Sequence, residues 1–423
     1  MPTKHKTIED LKKFAGKCVR CSLCKFPPLT VVESQRFSSI CPAYLEYKFH
    51  AHSGGGKIVM AMSLQEGRVE VTDEMRNVIF QCTLCGGCDM VCKFSSDIEI
   101  LEMLYALRAE SFLRKGPLPG HKEILDRIDK VGHPIFADGN KGDWLKEAGI
   151  SPGTNGDFLL FVGARYALMP NRRKSLLNLV KLLQRAGYSF GVLGDKEPYC
   201  GRVALDIGDL ERFNKAAKET IEAIKSSGAK KIVCADVEDY TTLRAHFPKI
   251  GKLDPEVLHP VEILAEAVKK KKLKFSKPFS KKVAYHDPCN LGRLSEIYQH
   301  WNGEIKKVMG QLIIYDPPRP VNRGAGGCYD PPRELLDAVP GMKRVEFERR
   351  REYAFCCGGE GHLYSVFPEF ADNTALERMT EAKAVGAEVV VTACPNCISN
   401  LSSATKATGI EVFDIYDVLA QAL

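Results

Sequence analysis

The apolar positions of this chain fall into two regimes. Ile100, Leu101, Leu104, Leu107 and Phe112 recur at roughly a 3.6-residue period between Asp97 and Gly116, which predicts a helix. From residue 157 onward, short apolar runs alternate with longer amphipathic stretches. Strands are expected at Phe158–Val162, Phe190–Leu193 and Lys231–Ala235, and again at Val283–His286, Val345–Glu346 and Glu388–Ala393. Helices are expected at Asn171–Ala186 (closed by Gly187), Arg212–Ser227, from about Glu238, Val261–Val268, Ala371–Val385 and Cys397–Thr405. Strands alternating with helices argue for an α/β fold with parallel sheets behind a helical N-terminal part.

The length of 423 residues suggests about three domains. Hydrophobic residues at 44% and charged residues at 27% are ordinary for a globular protein and exclude a disordered, collagenous or coiled-coil chain. The net charge of +7 is too small an excess to imply nucleic acid. The opening segment MPTKHKTIEDLKKF has no apolar core of a secretory signal, and no run is long enough to span a membrane. A cytoplasmic, reducing setting is expected, with any membrane association through a partner. Sixteen cysteines then change the picture, because in such a setting they point to metal or redox chemistry.

Eight cysteines lie between residues 18 and 92: Cys18, Cys21, Cys24, Cys41, Cys82, Cys85, Cys88 and Cys92. They read C-x2-C-x2-C, a gap, C-P, then C-x2-C-x2-C-x3-C, the spacing of a two-cluster ferredoxin. Three closely spaced thiolates wrap one cubane, and the fourth comes from the other motif. That crossing assigns Cys18, Cys21, Cys24 and Cys92 to one [4Fe–4S] cluster, and Cys82, Cys85, Cys88 and Cys41 to the other. Two departures stand out: 16 residues separate Cys24 from Cys41, and Lys93 occupies the usual proline position. The 57 residues between Cys24 and Cys82, flanked by helices, look like the α-helical ferredoxin type. Structural zinc is the alternative use of C-x2-C spacing.

The α/β part reads as one unit written twice. Cys200-Gly201 stands 36 positions before Asp236, and Cys357-Gly358 stands 37 before Cys394. Asp236-x2-Asp239 then matches Cys394-x2-Cys397, Tyr199 matches Cys356, and Ala164 matches Cys289. The blocks HDPCNLGR at 286–293, CCGGEG at 356–361 and ACPNC at 393–397 resemble the CCG cysteine-rich domain of heterodisulfide reductase. With the ferredoxin module in front, the chain resembles the D-type subunit of that enzyme, over nearly its whole length. Relatives of that type include iron–sulfur subunits of glycolate oxidase, anaerobic glycerol-3-phosphate dehydrogenase and class II benzoyl-CoA reductase complexes.

The resemblance implies a non-cubane [4Fe–4S] cluster on Cys289, Cys356, Cys357, Cys394 and Cys397. The gap from Cys289 to Cys356 exceeds the family's usual length, which places an insert at about residues 295–327. The earlier copy keeps only Cys200 of the five, so no cluster is expected there. The expected layout is a ferredoxin domain at 1–116, a helical linker at 117–156, a degenerate CCG-like domain at 157–275 and a complete CCG domain at 276–423.

Weaker signals have bland readings. Cys234 and Cys328 have no partners at metal spacing and read as idle thiols, with a resolving role for Cys328 as the minority reading. His286 and Asp287 either supply a proton or orient the cysteine loop. Gly54-Gly-Gly-Lys57 lacks the Ser/Thr of a phosphate loop and reads as a plain loop. No nucleotide fingerprint is visible, so no flavin or NAD is expected in this chain. The eight lysines between Lys269 and Lys282 read as a solvated linker, with an acidic partner surface as the alternative. Three functions compete: an electron-transfer subunit of a multisubunit anaerobic redox complex, a thiol–disulfide reductase acting at the C-terminal cluster, and a zinc-stapled structural protein. The first requires other redox subunits as partners.

Overall fold

The computed structural model describes residues 5–423 apart from 96, 97, 298, 300, 319, 321 and 323. Helices at Pro42–Tyr47, Gly54–Gln65, Asp73–Phe80, Gly87–Ser95, Ile100–Lys115 and Pro119–Val131 build the first part. The helix read from periodicity is present as Ile100–Lys115; Asp97, where the pattern begins, lies outside the described residues. Its buried residues Ile100, Met103, Leu104 and Leu107 belong to the main core, and it packs along Gly54–Gln65.

Helix Gly54–Gln65 corrects the reading of Gly54-Gly-Gly-Lys57 as a loop. Ser53 caps it, its hydroxyl accepting the Gly56 N–H at 3.3 Å. The glycines have a packing reason: a Cβ on Gly56 would lie 2.1 Å from the His50 carbonyl oxygen, an impossible approach. Lys93, the other departure, sits inside helix Gly87–Ser95, where proline would clash with the preceding turn. Its ammonium pairs with Asp89 at 2.7 Å and Glu99 at 3.3 Å.

Two four-stranded parallel sheets follow. The strands are β1 (Phe158–Phe161), β2 (Phe190–Gly191), β3 (Lys231–Cys234), β4 (Glu256–Leu258), β5 (Lys282–Tyr285), β6 (Glu304–Val308), β7 (Leu312–Asp316), β8 (Lys343–Val345), β9 (Val389–Thr392) and β10 (Glu411–Asp414). The first sheet has the order β2-β1-β3-β4 and the second β8-β5-β9-β10. In chain order, both read second, first, third, fourth. The central strands are buried on both faces, as β1 and β9 show along their whole length. In such a sheet the chain leaves the first strand toward one side and the third strand lies on the other. The crevice at their carboxyl ends is the usual ligand position of an open α/β sheet.

The two sheet units pack reciprocally. Helix Pro170–Arg185, which follows β1, packs on Ile415–Gln421, which follows β10. Helix Pro260–Lys269, which follows β4, packs on Asp330–Asp337, which precedes β8. Asp417 accepts from Ser175 Oγ at 2.8 Å and Asn178 Nδ2 at 2.7 Å, and Asp414 accepts from Tyr166 Oη at 2.8 Å. Lysines 270–272 between the units are exposed, while the N–H groups of Ser276 and Lys277 are bound by the Ala422 carbonyl.

The expected insert holds an antiparallel hairpin, β6–β7, exposed on both faces. Its base is closed. The Glu296 carboxylate accepts the N–H groups of Gly324 at 2.6 Å and Gly326 at 2.9 Å, and Cys328 N–H returns to the Leu291 carbonyl at 3.1 Å. The chain therefore leaves and rejoins the domain next to Cys289 without displacing it. The expected strand at Phe190–Leu193 is shorter than read, because Val192 bridges instead to Gly153.

Tyr166 and Asp414 are both buried, so Tyr166→Phe leaves a carboxyl oxygen without its donor. The expected cost is about 1–3 kcal/mol, seen as a lower denaturation midpoint with an unchanged m-value. An unchanged midpoint would show that this bond does not join the halves.

Candidate metal centres

The cysteines gather in three places. A cavity of about 360 Å³ is lined by Cys18, Cys21, Cys24 and Cys92. The loop that carries the first three turns through left-handed backbone at Arg20 and Ser22, which lets their side chains converge. Cys21 is exposed, whereas Cys24 and Cys92 are buried. Burial pushes the Cys24 thiol up and the Cys92 thiol up to about 12.

A second cavity, of about 340 Å³, is lined by Cys41, Cys82, Cys85 and Cys88. Burial raises Cys41 to about 12 and Cys88 well above the usual thiol range. Cys85 is also raised, first by a hydrogen bond with Cys356 and then by burial. Buried cations surround this group. Lys57 donates to the His52 carbonyl at 2.6 Å, Arg108 donates to the Cys82 carbonyl, and Arg293 donates to the Cys85 carbonyl.

The N-terminus of helix Gly54–Gln65 divides these two cavities. The Gly55 N–H donates to Cys24 Sγ at 3.3 Å. A Cβ on Gly55 would meet Cys24 Sγ at 3.2 Å, and one on Gly54 would meet Cys88 Sγ at 3.0 Å. Side chains would be crowded on both sides of the partition, and the helix end directs the Gly55 N–H at sulfur.

The third group occupies the crevice at the carboxyl ends of β5 and β9. Cys289 follows β5, Cys394 caps helix Pro395–Ser402 after β9, and Cys397 lies in its first turn. Cys394 Sγ accepts the Cys397 N–H at 3.1 Å. Gly358 and Gly359 donate to Cys356 Sγ at 3.4 Å and Cys357 Sγ at 3.3 Å. Cys289 is hydrogen-bonded to Cys356, and Cys357 to both Cys356 and Cys397. These bonds lower the Cys357 thiol to about 5, whereas burial raises Cys394 to about 11. All five are buried. Asp287 is an anchor for the loop: it binds both Arg333 amino groups, at 2.7 and 2.9 Å, and accepts the Arg351 N–H at 2.8 Å.

The matching crevice of the first sheet holds a different set. Asp236 caps the helix that follows β3 and pairs with Arg165 at 3.4 Å, while Glu238 pairs with Arg165 at 2.6 Å. Cys200 is hydrogen-bonded to Asp239, and the Tyr199 hydroxyl accepts the Val203 N–H at 2.6 Å. Ala164 starts the helix after β1. Cys234 is buried within β3. Cys328 is buried too, and Glu262, Arg244 and Asp287 are among the charged groups that act on it.

The donor sets suit iron–sulfur clusters. They are all-sulfur and grouped, the first two around cavities, and burial disfavours the thiolate form of Cys24, Cys41, Cys88, Cys92 and Cys394 unless a metal takes the proton's place. Sequence reasoning missed the surrounding Lys57, Arg108 and Arg293, whose burial has no local signal, and it missed the contact of Cys85 with Cys356.

Comparison with known proteins agrees. Residues 15–96 match the 4Fe-4S dicluster domain family, and residues 321–402 match the CCG cysteine-rich domain family. The second match includes four of the five clustered cysteines but not Cys289. Over its full length the chain is 26% identical to the D-type subunit of the dihydromethanophenazine:CoB–CoM heterodisulfide reductase of Methanosarcina mazei, covering 97% of that protein. It is 28% identical to the probable iron-sulfur-binding oxidoreductase FadF of Bacillus subtilis, with 88% of this chain and 50% of that one aligned. It is 26% identical to EtfAB:quinone oxidoreductase of Syntrophomonas wolfei, with 98% and 60% aligned. The chain thus spans about half to three-fifths of the length of these last two.

The grouping makes a testable pairing. Cys41→Ala is expected to remove the same electron paramagnetic resonance signal as Cys88→Ala, and Cys92→Ala the same signal as Cys21→Ala. Shared loss by Cys41→Ala and Cys21→Ala would refute it.

Proposed function

We propose that this chain, an iron–sulfur protein with a dicluster domain and a CCG domain, similar throughout to the D-type subunit of heterodisulfide reductase, is the electron-relay component of a multisubunit redox complex. Bound clusters would supply reversible one-electron storage. Cys18, Cys21, Cys24 and Cys92 would hold one cubane, and Cys41, Cys82, Cys85 and Cys88 the other. Cys289, Cys356, Cys357, Cys394 and Cys397 would hold a non-cubane cluster. The observation that carries the proposal is contiguity. Glycines 54 and 55 part the first two groups, and Cys85 of the second touches Cys356 of the third. Exposed Cys21 marks the end from which a partner is reached.

The burial of all five C-terminal cysteines favours a relay over direct attack on a small disulfide. The two sheets share one strand order, which supports reading them as a duplicated unit divided near residue 275, with the ferredoxin part ending near 116. In the first copy, carboxylates stand where the second has thiolates. They are poor ligands for a soft cluster, so this copy is read as a packing unit. A heterodisulfide cleavage that needs two facing clusters is then not available to this chain. Flavin- or iron–sulfur-bearing partner subunits would supply and remove electrons. No described helix is long and apolar enough to cross a membrane.

Anaerobically prepared full-length protein is expected to contain about twelve iron atoms, and Cys357→Ser about eight, at four per cluster. Retention of both ferredoxin signals in that variant is also expected. Zinc in place of iron would overturn the proposal, and a wild-type count of about sixteen would show that the first copy also binds a cluster.

A further inference from the structure

His286 is a group that the relay reading leaves without a task. It directly follows β5, three residues before Cys289, and is 1% exposed. Its backbone N–H is held by the Val391 carbonyl at 2.9 Å, so the residue is fixed to the neighbouring strand β9. A ring nitrogen lies within 4.8 Å of both Cys357 Sγ and Cys397 Sγ. The three atoms form the one His/Cys/Asp/Glu group with metal-binding spacing found among the described residues. Taken alone, that placement reads as a sixth ligand.

The hydrogen bond at Nδ1 decides against this. Arg378 Nε donates to His286 Nδ1 at 3.1 Å. Arg378 cannot turn away: its guanidinium pairs with Glu381 at 2.7 Å, donates to the Arg349 carbonyl at 2.9 Å and stacks 3.4 Å from the Phe347 ring centre. A guanidinium has no acceptor atom, so Nδ1 must be the unprotonated nitrogen. The ring proton then sits on Nε2. Metal binding at Nε2 would require an imidazolate. Nε2 is buried and has no hydrogen-bond partner among the described residues, a costly state for an N–H.

We propose that His286 is a positioning residue whose Nε2–H, fixed in that tautomer by Arg378, donates a hydrogen bond to sulfur at the third cysteine site. This rests on the reading of that site as a cluster site. A hydrogen bond to a ligand or bridging sulfur stabilises the more negative, reduced state and raises the reduction potential. The imidazole therefore sets how readily the end of the relay accepts an electron, while leaving the ligand count at five cysteines.

The test is a potentiometric titration of the anaerobic full-length protein, followed by electron paramagnetic resonance, with iron analysis on each sample. His286→Leu removes the donor and is expected to lower the third-site potential with iron content unchanged and the other two potentials unmoved. His286→Gln restores an N–H donor and is expected to lie between His286→Leu and wild type. Electron–nuclear double resonance of the wild type is expected to show an exchangeable proton coupled to the third site and no directly bound nitrogen. If His286→Leu does not fold, this wild-type measurement decides the matter. Full iron content with an unmoved potential, or a directly bound nitrogen, overturns the inference alone. A wild-type protein with about eight iron atoms overturns the relay reading and the inference with it.

Discussion

Charge compensation for buried sulfur is the constraint on which this structure depends. Thirteen cysteines converge in three places, and all but a few are withdrawn from water. A cluster held by thiolates is anionic, and an uncompensated anion in the interior would cost several kcal/mol. The chain answers with N–H groups and cations. Gly55, Gly358 and Gly359 present backbone donors to sulfur. Lys57, Arg108 and Arg293 stand buried around the second site.

These cations also join the parts. Arg108 begins on the helix Ile100–Lys115 and donates to the Phe80 carbonyl at 3.3 Å, the Asp206 carbonyl at 2.6 Å and the Gly361 carbonyl at 3.5 Å. One side chain thus binds the helical part, the first sheet unit and the CCGGEG loop. Arg293, from the Cys289 loop, reaches the Cys85 carbonyl and the Ala354 carbonyl, the latter at 2.6 Å. The elements that neutralise the second site therefore fix its position relative to the third. The first sheet unit contributes Asp206 to this arrangement, and its reciprocal helix packing holds the second unit in register. The first sheet unit has in this way a structural reason to persist.

What the sequence made legible was local. The ferredoxin-like spacing made legible which cysteines line each of the first two cavities, with Cys92 beside Cys18, Cys21 and Cys24, and Cys41 beside Cys82, Cys85 and Cys88. The repeated spacing of strand ends and of the Cys-Gly and Asp/Cys pairs goes with the strand order that the two sheets share. Other features depend on partners distant in the chain. Gly54–Gly56 has poor helix propensity and forms a helix start only because Ser53 caps it and Cys24 and Cys88 leave no space for side chains. The strands β4 and β10, which lie at sheet edges and are only partly buried, were missed. Buried Lys57, Arg108 and Arg293 look like surface residues until the sulfur they face is known. The contact of Cys85 with Cys356 spans most of the chain.

The central claim is an ordered series: first site, second site, third site, with the second shared. Pulsed dipolar electron paramagnetic resonance on the fully reduced, anaerobic protein measures this order directly. The account predicts strong coupling between the first and second sites and between the second and third, with the weakest coupling between first and third. Removing the second site by Cys88→Ala should leave two nearly independent spins. A third site uncoupled from the second in the intact protein, or a first-to-third coupling that exceeds the other two, would contradict it.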